Sequence, residues 1–337
     1  MIVKHATGEY EIRFQRVELP EGVVITDRNV AEAHADLLKS REVIVLEPGE
    51  QSKSLDVYGQ MCRDLVGRKV TRKSTLVALG GGVLGDLVGF VAATYMRGIR
   101  YVQIPTTLLA QVDSSVGGKT GIDLPEGKNL VGAFYPPSLV QIDTVLLNTL
   151  PERQFRCGMA EVIKYGFIQS PSLTDSLEGN ALQPGDFRLQ SVVEECIGIK
   201  ARMVQEDEFE TLGIRAQLNF GHTVGHALEQ MTNYEKYTHG EAISIGMVVE
   251  TKIAEKLGMA QNGLTERVAN LLFKHGLPVD AVELKEIDQV VSVMRKDKKS
   301  LQGELSMSLV REVGDCVLAS NVEEGVVREV LGEFGQS

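Results

Sequence analysis

The densest group of potential metal ligands lies in the second half of the chain. Three of its six histidines, His222, His226 and His239, fall within 18 residues. His222 and His226 are four residues apart, so on a helix their imidazoles share one face and could hold a metal or divide metal binding and proton transfer. Two ordinary histidines at a helix start fit the same spacing. A third ligand is expected to be a carboxylate, as in a His/His/Glu zinc site, but the spacing does not identify it.

A glycine-rich segment in the first half could bind a phosphate group. Gly80-Gly-Gly-Val-Leu-Gly-Asp86 directly follows an apolar strand pattern and opens a helical one. Glycines at such a turn let backbone amides approach a pyrophosphate at a helix N-terminus. Because the spacing departs from GxGxxG, this motif alone fits nucleotide binding and a merely tight turn equally well.

Two polar loops follow other predicted strands, and a further glycine-flanked segment contains Lys128. Residues 105–120 end in Gly-Gly-Lys119-Thr, but Asp113 stands where a Walker A loop has its first glycine, which disfavours a nucleoside triphosphatase. Lys128 lies nine residues after Lys119 and also follows a glycine, and residues 48–53 contain a carboxylate and Lys53. Loops at the carboxyl ends of parallel strands bind ligands in open α/β sheets, so these lysines are candidates for phosphate contacts.

The predicted secondary structure that positions these residues changes near the middle of the chain, from alternating strands and helices to mostly helices. Up to residue 150, β-branched runs alternate with helical patterns, which predicts a parallel sheet covered by helices. The predicted strands are 23–26, 43–46, 75–79, 102–104 and 139–143, and the predicted helices are 30–40 and 55–67, capped by Asn29 and Ser54. Beyond residue 150 the patterns are mostly helical: 151–168, 189–203, 225–231, 241–257 and 265–275. We therefore predict two domains, 1–150 and 151–337, with Pro151 in the first turn of a helix that Thr149 could cap.

The composition excludes several classes of function. A net charge of −11 opposes binding to nucleic acid or an anionic membrane, so an anionic substrate needs a local cluster of cations. The longest uncharged stretch, 129–142, is too short and too rich in proline to span a bilayer, and no secretory signal is visible, so a cytoplasmic protein is expected. The four scattered cysteines indicate neither a disulfide framework nor a thiolate zinc site.

Taken together, the motifs resemble the 3-dehydroquinate synthase family of sugar phosphate cyclases. The resemblance runs from about Pro48 to His239. It rests on Gly80 to Asp86, Tyr95-Met-Arg-Gly, residues 105–120, Gly127-Lys-Asn, Gly158-Met-Ala-Glu-Val-Ile-Lys164, Leu218 to His226 and His239-Gly-Glu.

This resemblance implies an α/β protein with a Rossmann-like N-terminal domain that holds NAD and a mostly helical C-terminal domain that holds a divalent metal. The metal is usually zinc, and a His/His/Glu site also accepts cobalt. By resemblance, the metal ligands are Glu161, His222 and His239, and the substrate lies between the domains. The implied NAD contacts are Glu50, Lys53, Gly82, Val83, Leu84, Gly85, Asp86, Thr106, Thr107, Lys119, Lys128 and Thr149.

The family reaction converts 3-deoxy-D-arabino-heptulosonate 7-phosphate to 3-dehydroquinate by transient oxidation, phosphate elimination, reduction and aldol closure. A homodimer is implied as well. The matching catalytic and substrate contacts are Arg97 (across the dimer interface), Asp113, Lys119, Lys128, Asn129, Lys164, Lys200, Arg215, Asn219 and His226, with one lysine among Lys296, Lys298 and Lys299. The spacing between Lys200 and Arg215 is one residue longer than is usual in the family.

Three alternatives stay open at this point. Other sugar phosphate cyclases share the architecture; Asn129, Arg215 and Ser115-Val-Gly-Gly-Lys119 favour a substrate with a carboxylate, which does not separate aminodehydroquinate synthase. A metal-dependent dehydrogenase of the glycerol dehydrogenase type would release NADH, and the clustered lysines argue against it. A non-enzymatic metal-binding protein would leave those lysines and the glycine turn without a purpose.

Overall fold

The computed structural model describes residues 1–6, 8–208, 210–297 and 305–335. Backbone contacts divide the chain into two units. The first contains Met1–Pro151 and Pro184–Gln205, and the second contains Glu152–Gln183 and Glu206–Ser337. Among the described residues, no helix has the length and apolar character needed to cross a membrane.

Eleven strands and twelve α-helices are assigned in the described ranges. Up to residue 151 they are β1 Ile2–His5, β2 Gly8–Phe14, β3 Val23–Asp27, α1 Arg28–Ala33, α2 Ala35–Leu38, β4 Glu42–Leu46, α3 Leu55–Gly67, β5 Thr75–Gly80, α4 Gly82–Thr94, β6 Arg100–Pro105, β7 Lys119–Leu124, β8 Gly127–Phe134 and β9 Leu139–Ile142. The remaining elements are α5 Glu152–Gln169, α6 Pro171–Gly179, α7 Leu189–Glu206, α8 His222–Met231, α9 His239–Lys256, α10 Leu264–Lys274, α11 Ile287–Asp297, β10 Leu305–Glu312, β11 Asp315–Val322 and α12 Glu324–Leu331.

The first unit is built on a seven-stranded sheet in the order β1-β2-β9-β6-β5-β3-β4. Apart from the antiparallel β1–β2 pair, its neighbouring strands run parallel. Such strands are buried on both faces and read as continuous apolar runs, as in β3, where Val23 and Ile25 pack on one side and Val24 on the other. The chain leaves β3 toward β4 and returns on the other side to β5. The strand order therefore reverses between β3 and β5, which is where open α/β sheets bind ligands.

The predicted strands appear as β3, β4, β5, β6 and β9, and the prediction of a Rossmann-like domain is confirmed. The predicted helix 30–40 is wrong in detail, because His34 has φ −124° and ψ 34° and separates α1 from α2. Asp27, not Asn29, caps α1 by accepting a hydrogen bond from the Val30 amide at 3.0 Å. Ser54 caps α3 as predicted.

The second unit is mostly helical, as predicted, and adds the antiparallel pair β10–β11 that the sequence analysis missed. The segment 184–205, which contains most of α7, packs with the first unit although the predicted boundary placed it in the second domain. One reason lies in a charged contact: Lys200 on α7 pairs with Asp113 of the first unit at 2.8 Å and donates to its backbone carbonyl at 2.7 Å.

Candidate functional site

Three potential metal ligands converge within the second unit. Glu161 lies on α5, and His222 and His239 are the first residues of α8 and α9. The Glu161 Oε1 atom is 3.4 Å from His222 Nε2 and 3.3 Å from His239 Nε2. Their ligand atoms all lie within 4.8 Å of one another, so one carboxylate oxygen and two imidazole nitrogens face a common point. This donor set fits a zinc site with an open position.

Both imidazoles are held by the nitrogen that faces away from Glu161. His222 Nδ1 lies 3.1 Å from the Phe220 carbonyl oxygen, and His239 Nδ1 lies 3.4 Å from Glu229 Oε1. A proton on Nδ1 directed at an acceptor leaves Nε2 with its lone pair, which is the tautomer that binds a metal. The chain therefore directs both Nε2 atoms at the point where a cation would bind.

The pKa values of the two histidines shift in opposite directions because different charges lie beside them. Burial and the nearby Lys164 ammonium lower the pKa of His222 to about 4. Burial also lowers the pKa of His239, but hydrogen bonds to Glu161 and Glu229 outweigh it and raise that pKa well above its ordinary value. Burial raises the pKa of Glu161, but Lys164 and the two histidines outweigh it and hold that pKa well below the usual range. Near neutral pH the metal-free cluster thus holds an ionised Glu161, a neutral His222 and a protonated His239.

Close backbone contact between α5 and α9 brings two of the ligands together. A Cβ atom on Gly240 would lie 2.2 Å from the carbonyl oxygen of Cys157, so only glycine fits beside His239. The Cys157 Sγ accepts a hydrogen bond from the Gly240 amide at 3.2 Å. Thr238 and Glu241 form a capping box, which fixes where α9 begins and therefore where the His239 side chain starts.

Four other residues predicted to contact the substrate also lie in the second unit. His226 lies one turn after His222, with ring centroids 5.4 Å apart, and could itself join Glu229 and His239 around a cation. Lys164 is 2% exposed and contacts Glu161. Arg215 is buried and donates to the Glu208 carbonyl at 3.0 Å. Asn219 is exposed and ends the 3₁₀ turn Arg215–Asn219.

The predicted phosphate-binding turn lies in the first unit, where β5 passes into α4. Gly81 stands just before the helix in an extended conformation and makes no side-chain cap to the first amides of α4. A Cβ on Gly82 would lie 2.8 Å from Ser114 Oγ, and one on Gly85 would lie 2.0 Å from Gln103 Nε2. The glycines therefore let α4 pack closely against neighbouring chain segments while leaving its N-terminus open to an anion.

Polar groups without partners surround this turn. The Thr106 amide donates to the Gly80 carbonyl at 3.0 Å, which places Thr106 beside the turn. The hydroxyls of Thr106, Ser114 and Ser115 are buried and have no hydrogen-bond partner among the described residues. Thr107 instead accepts a hydrogen bond from the Ala110 amide at 3.1 Å. Buried hydroxyls normally find partners, so these three fit a bound polar ligand such as a dinucleotide.

Lys53 connects a residue predicted to bind NAD, Asp86, with one predicted to bind the substrate, Asn129. It is 3% exposed, pairs with Asp86 at 2.6 Å and donates to the side-chain oxygen of Asn129. Glu50 lies 3.7 Å from the Lys128 ammonium. Sequence reasoning missed Asp123, whose carboxylate accepts the Asn129 amide at 2.7 Å. The signal available in the sequence was an acidic residue in the short segment between Gly121 and Gly127.

The remaining predicted residues are placed as follows. Lys119 and Lys128 lie on strands β7 and β8 rather than on loops, so that part of the prediction is wrong. The Thr149 hydroxyl donates to the Leu146 carbonyl at 3.1 Å and lies 3.0 Å from His34 Nε2. Arg97 has a left-handed backbone, with φ 65°. Lys296 is the last residue but one of α11, and Lys298 and Lys299 lie outside the described residues.

Comparison with known proteins places this arrangement in a family. The family model for the 3-dehydroquinate synthase N-terminal region matches residues 43–157, and the model for the C-terminal region matches residues 158–300. The chain belongs to the 3-dehydroquinate synthase family. A 3-dehydroquinate synthase of Clostridium perfringens (strain SM101 / Type A) is 48% identical over 284 residues, which cover 84% of this chain and 81% of that protein.

Solved structures of two sugar phosphate cyclases are similar throughout the chain. A 2-epi-5-epi-valiolone synthase of Streptomyces hygroscopicus subsp. jinggangensis 5008, with NAD⁺ and Zn²⁺ bound, has a TM-score of 0.85 at 27% identity and covers 96% of this chain and 97% of its own. A 2-deoxy-scyllo-inosose synthase complexed with carbaglucose-6-phosphate, NAD⁺ and Co²⁺ has a TM-score of 0.84 at 27% identity and covers 99% of each chain. The 3-dehydroquinate synthase family thus shares its fold with cyclases of other sugar phosphates.

Proposed function

We propose that the protein catalyses the 3-dehydroquinate synthase reaction, which converts 3-deoxy-D-arabino-heptulosonate 7-phosphate to 3-dehydroquinate and phosphate. The observation that carries the proposal is the convergence of Glu161, His222 and His239 in a chain of this family. The reaction eliminates phosphate, so the enzyme would be a carbon–oxygen lyase. Identity of 48% to a 3-dehydroquinate synthase, against 27% to the cyclases of known structure, favours this substrate over the other sugar phosphates.

Each unit offers the groups that one cofactor requires. When bound, NAD would supply a reversible hydride acceptor, and a zinc or cobalt ion would supply a Lewis acid for the substrate hydroxyls. Glu161, His222 and His239 would hold the metal. The open N-terminus of α4 and the hydroxyl of Thr106 would receive the NAD pyrophosphate.

The cationic residues would bind the two anionic ends of the substrate. An ammonium or guanidinium with little exposure interacts strongly with phosphate or carboxylate, because little water competes for it. Among the predicted contacts, Lys164, Lys200 and Arg215 are buried. They would orient the substrate in a protein whose net charge of −11 otherwise repels it. His226, near the metal ligands, is proposed as a proton donor or acceptor for the substrate phosphate. The homodimer and the contact of Arg97 across it stay predictions.

The direct test follows phosphate and NADH together. Purified protein with NAD and zinc should release phosphate from 3-deoxy-D-arabino-heptulosonate 7-phosphate in many-fold excess over enzyme, with no lasting nicotinamide absorbance and with 3-dehydroquinate as the product. A heptulose 7-phosphate without the carboxylate serves as the control substrate and should react far more slowly. Stoichiometric NADH from a polyol would instead establish a dehydrogenase, and an inert substrate would overturn the proposal.

Metal binding at pH 7 should release about one proton per ion. Bound imidazoles must be neutral; His222 is already so, with a pKa lowered to about 4, whereas His239 has a pKa raised well above its ordinary value. Metal affinity should therefore rise with pH until the pH exceeds the pKa of His239. Titration calorimetry in two buffers of different ionisation enthalpy measures the proton count. Glu229→Gln removes one cause of the raised pKa and should lower the count; an unchanged count in this variant would contradict the assignment to His239.

Lys53→Met should raise the dissociation constant of NAD by about 10–100-fold. Hydrogen bonds to a charged group contribute about 1.5–3 kcal/mol, which corresponds to a change of this size. Methionine keeps the length of the side chain but leaves Asp86 and Asn129 without the ammonium that joins them. Fluorescence titration of the protein with NADH measures the affinity. Lys39→Met is the matched control, because Lys39 pairs with Asp36 at the surface, at 2.5 Å. Equal NADH affinities of the two variants would contradict a role for Lys53 in the nucleotide site.

A further inference from the structure

Helix α8 begins at a metal ligand without a cap from its own sequence. The residue before it, Gly221, has φ 82° and no side chain that could accept the free amides of the first turn. Such amides need acceptors when they are buried, because water cannot replace the missing helical carbonyls.

A carboxylate from another helix supplies the acceptors. Glu250 on α9 is completely buried. Its Oε2 accepts the Gly221 amide at 2.7 Å, and its Oε1 accepts the Val224 amide at 3.1 Å. These two amides flank His222 on either side, so one carboxylate fixes the backbone from which the ligand projects. A negative charge is also favourable at a helix N-terminus.

The surrounding backbone leaves no room for adjustment. A Cβ on Gly246 of α9 would lie 1.9 Å from the Gly221 carbonyl oxygen, and one on Gly221 would lie 2.6 Å from the Ile243 carbonyl oxygen. The start of α8 is thus pressed against the middle of α9, whose first residue is the ligand His239. A shift at Gly221 would change the distance from His222 Nε2 to the Glu161 oxygen.

We propose that Glu250 is a positioning residue for the metal: it sets the start of α8 and so aims His222 at the cation. This inference rests on the proposed metal site at Glu161, His222 and His239. It assigns Glu250 a function beyond stabilising the fold, because the amides it binds belong to the turn that carries a ligand.

The chain contains a matched control on the same helix. Glu255 Oε1 accepts the amides of Gly263 and Thr265, each at 2.9 Å, at the start of α10. Gly263 also has a left-handed backbone, with φ 98°, and no side chain of its own caps the helix. The two carboxylates perform the same local task, but α10 carries none of the proposed ligands.

The experiment compares Glu250→Gln with Glu255→Gln, because an amide keeps the shape and removes the charge. Zinc dissociation constants come from competition with a chelator, the visible spectrum of bound Co²⁺ reports the ligand geometry, and thermal melting of the metal-free proteins reports stability. We expect Glu250→Gln to raise the zinc dissociation constant about 10–100-fold and to change the Co²⁺ spectrum. Glu255→Gln should lower the melting temperature and leave both metal readouts at the wild-type values.

The possible outcomes test the metal site and the role of Glu250 separately. A wild-type protein that binds no zinc or Co²⁺ stoichiometrically would overturn the proposed metal site itself. Normal binding by the wild type, with Glu250→Gln no different from Glu255→Gln, would overturn the positioning role alone. If Glu250→Gln does not fold, Glu250→Asp retains the charge and moves it by one carbon; a several-fold rise in the zinc dissociation constant supports the proposal, and an unchanged constant and Co²⁺ spectrum overturn it.

Discussion

Glu161→Gln should produce a protein that loses zinc on gel filtration and turns over substrate at least about 10³-fold more slowly, which corresponds to about 4 kcal/mol. The Glu161 Oε1 atom faces two imidazole nitrogens at 3.4 Å and 3.3 Å, and an amide oxygen there offers a cation no charge. The substitution also leaves the Lys164 ammonium buried without the carboxylate it contacts. That uncompensated charge adds to the repulsion of a divalent ion. Metal content by elemental analysis and kcat/KM from phosphate release measure the two effects.

Glu178→Gln is the control for this variant, since it removes a carboxylate charge from the same unit at a partly exposed ion pair. Glu178 contacts Arg267 at 2.6 Å. Surface pairs contribute about 0–1 kcal/mol, so its metal content and kcat/KM should equal those of the wild type. Full retention of zinc by Glu161→Gln would show that the metal binds at another site.

Lys164→Met should have the opposite effect on the metal and a similar effect on activity. Lys164 is 2% exposed beside Glu161, so its positive charge competes with a cation for the same carboxylate. Without it, zinc affinity should rise, and the pKa of His222, which burial and Lys164 lower, should return toward its ordinary value. The variant also loses the buried ammonium proposed to bind the substrate, and kcat/KM should fall about 10²–10³-fold, or about 3–4 kcal/mol.

The contrast between metal binding and turnover makes this result specific. Chelator competition and phosphate release are measured on the same preparation, with Lys256→Met as control. Lys256 pairs with Glu329 at 2.7 Å on the surface of α9, so its removal should change neither quantity. Loss of zinc together with activity in Lys164→Met would mean that Lys164 is needed to build the site rather than to bind the substrate.

The individual site residues could be predicted from sequence to different extents. Clustering in the sequence singled out His222, His226 and His239, and spacing placed the first two on one helix face. The resemblance supplied Glu161 and assigned His239, not His226, as a metal ligand. The structure brings His222, His239 and Glu161 together around one oxygen and leaves His226 beside them. Glu229 and Glu250 were missed, because a carboxylate in the middle of a helix has no local pattern that reveals which distant amide or imidazole it meets.

The secondary structure could likewise be predicted where the local sequence pattern is strong and was missed where it is weak. Helix α3 could be placed to the residue, since Ser54 and a regular apolar period define it. The strand β10 was missed although Leu305, Met307 and Leu309 alternate with polar residues at its start. Its partner β11 exposes most of one face, so the alternation there is weak. The hairpin β7–β8 was taken as loops because glycines, which are typical of turns, precede Lys119 and Lys128. Two further glycines within the hairpin, Gly121 and Gly132, allow close strand contact.

The return of residues 184–205 to the first unit has a consequence for synthesis on the ribosome. The chain completes the sheet by residue 142, yet the helix that carries Lys200 to Asp113 is made only after α5 and α6 of the other unit. A nascent chain stopped near residue 151 therefore lacks residues 184–205 of its first unit, and any uninterrupted fragment that contains one whole unit also contains part of the other. Expressing the chain in two pieces cut at Pro151 would separate residues 184–205 from the sheet with which they pack.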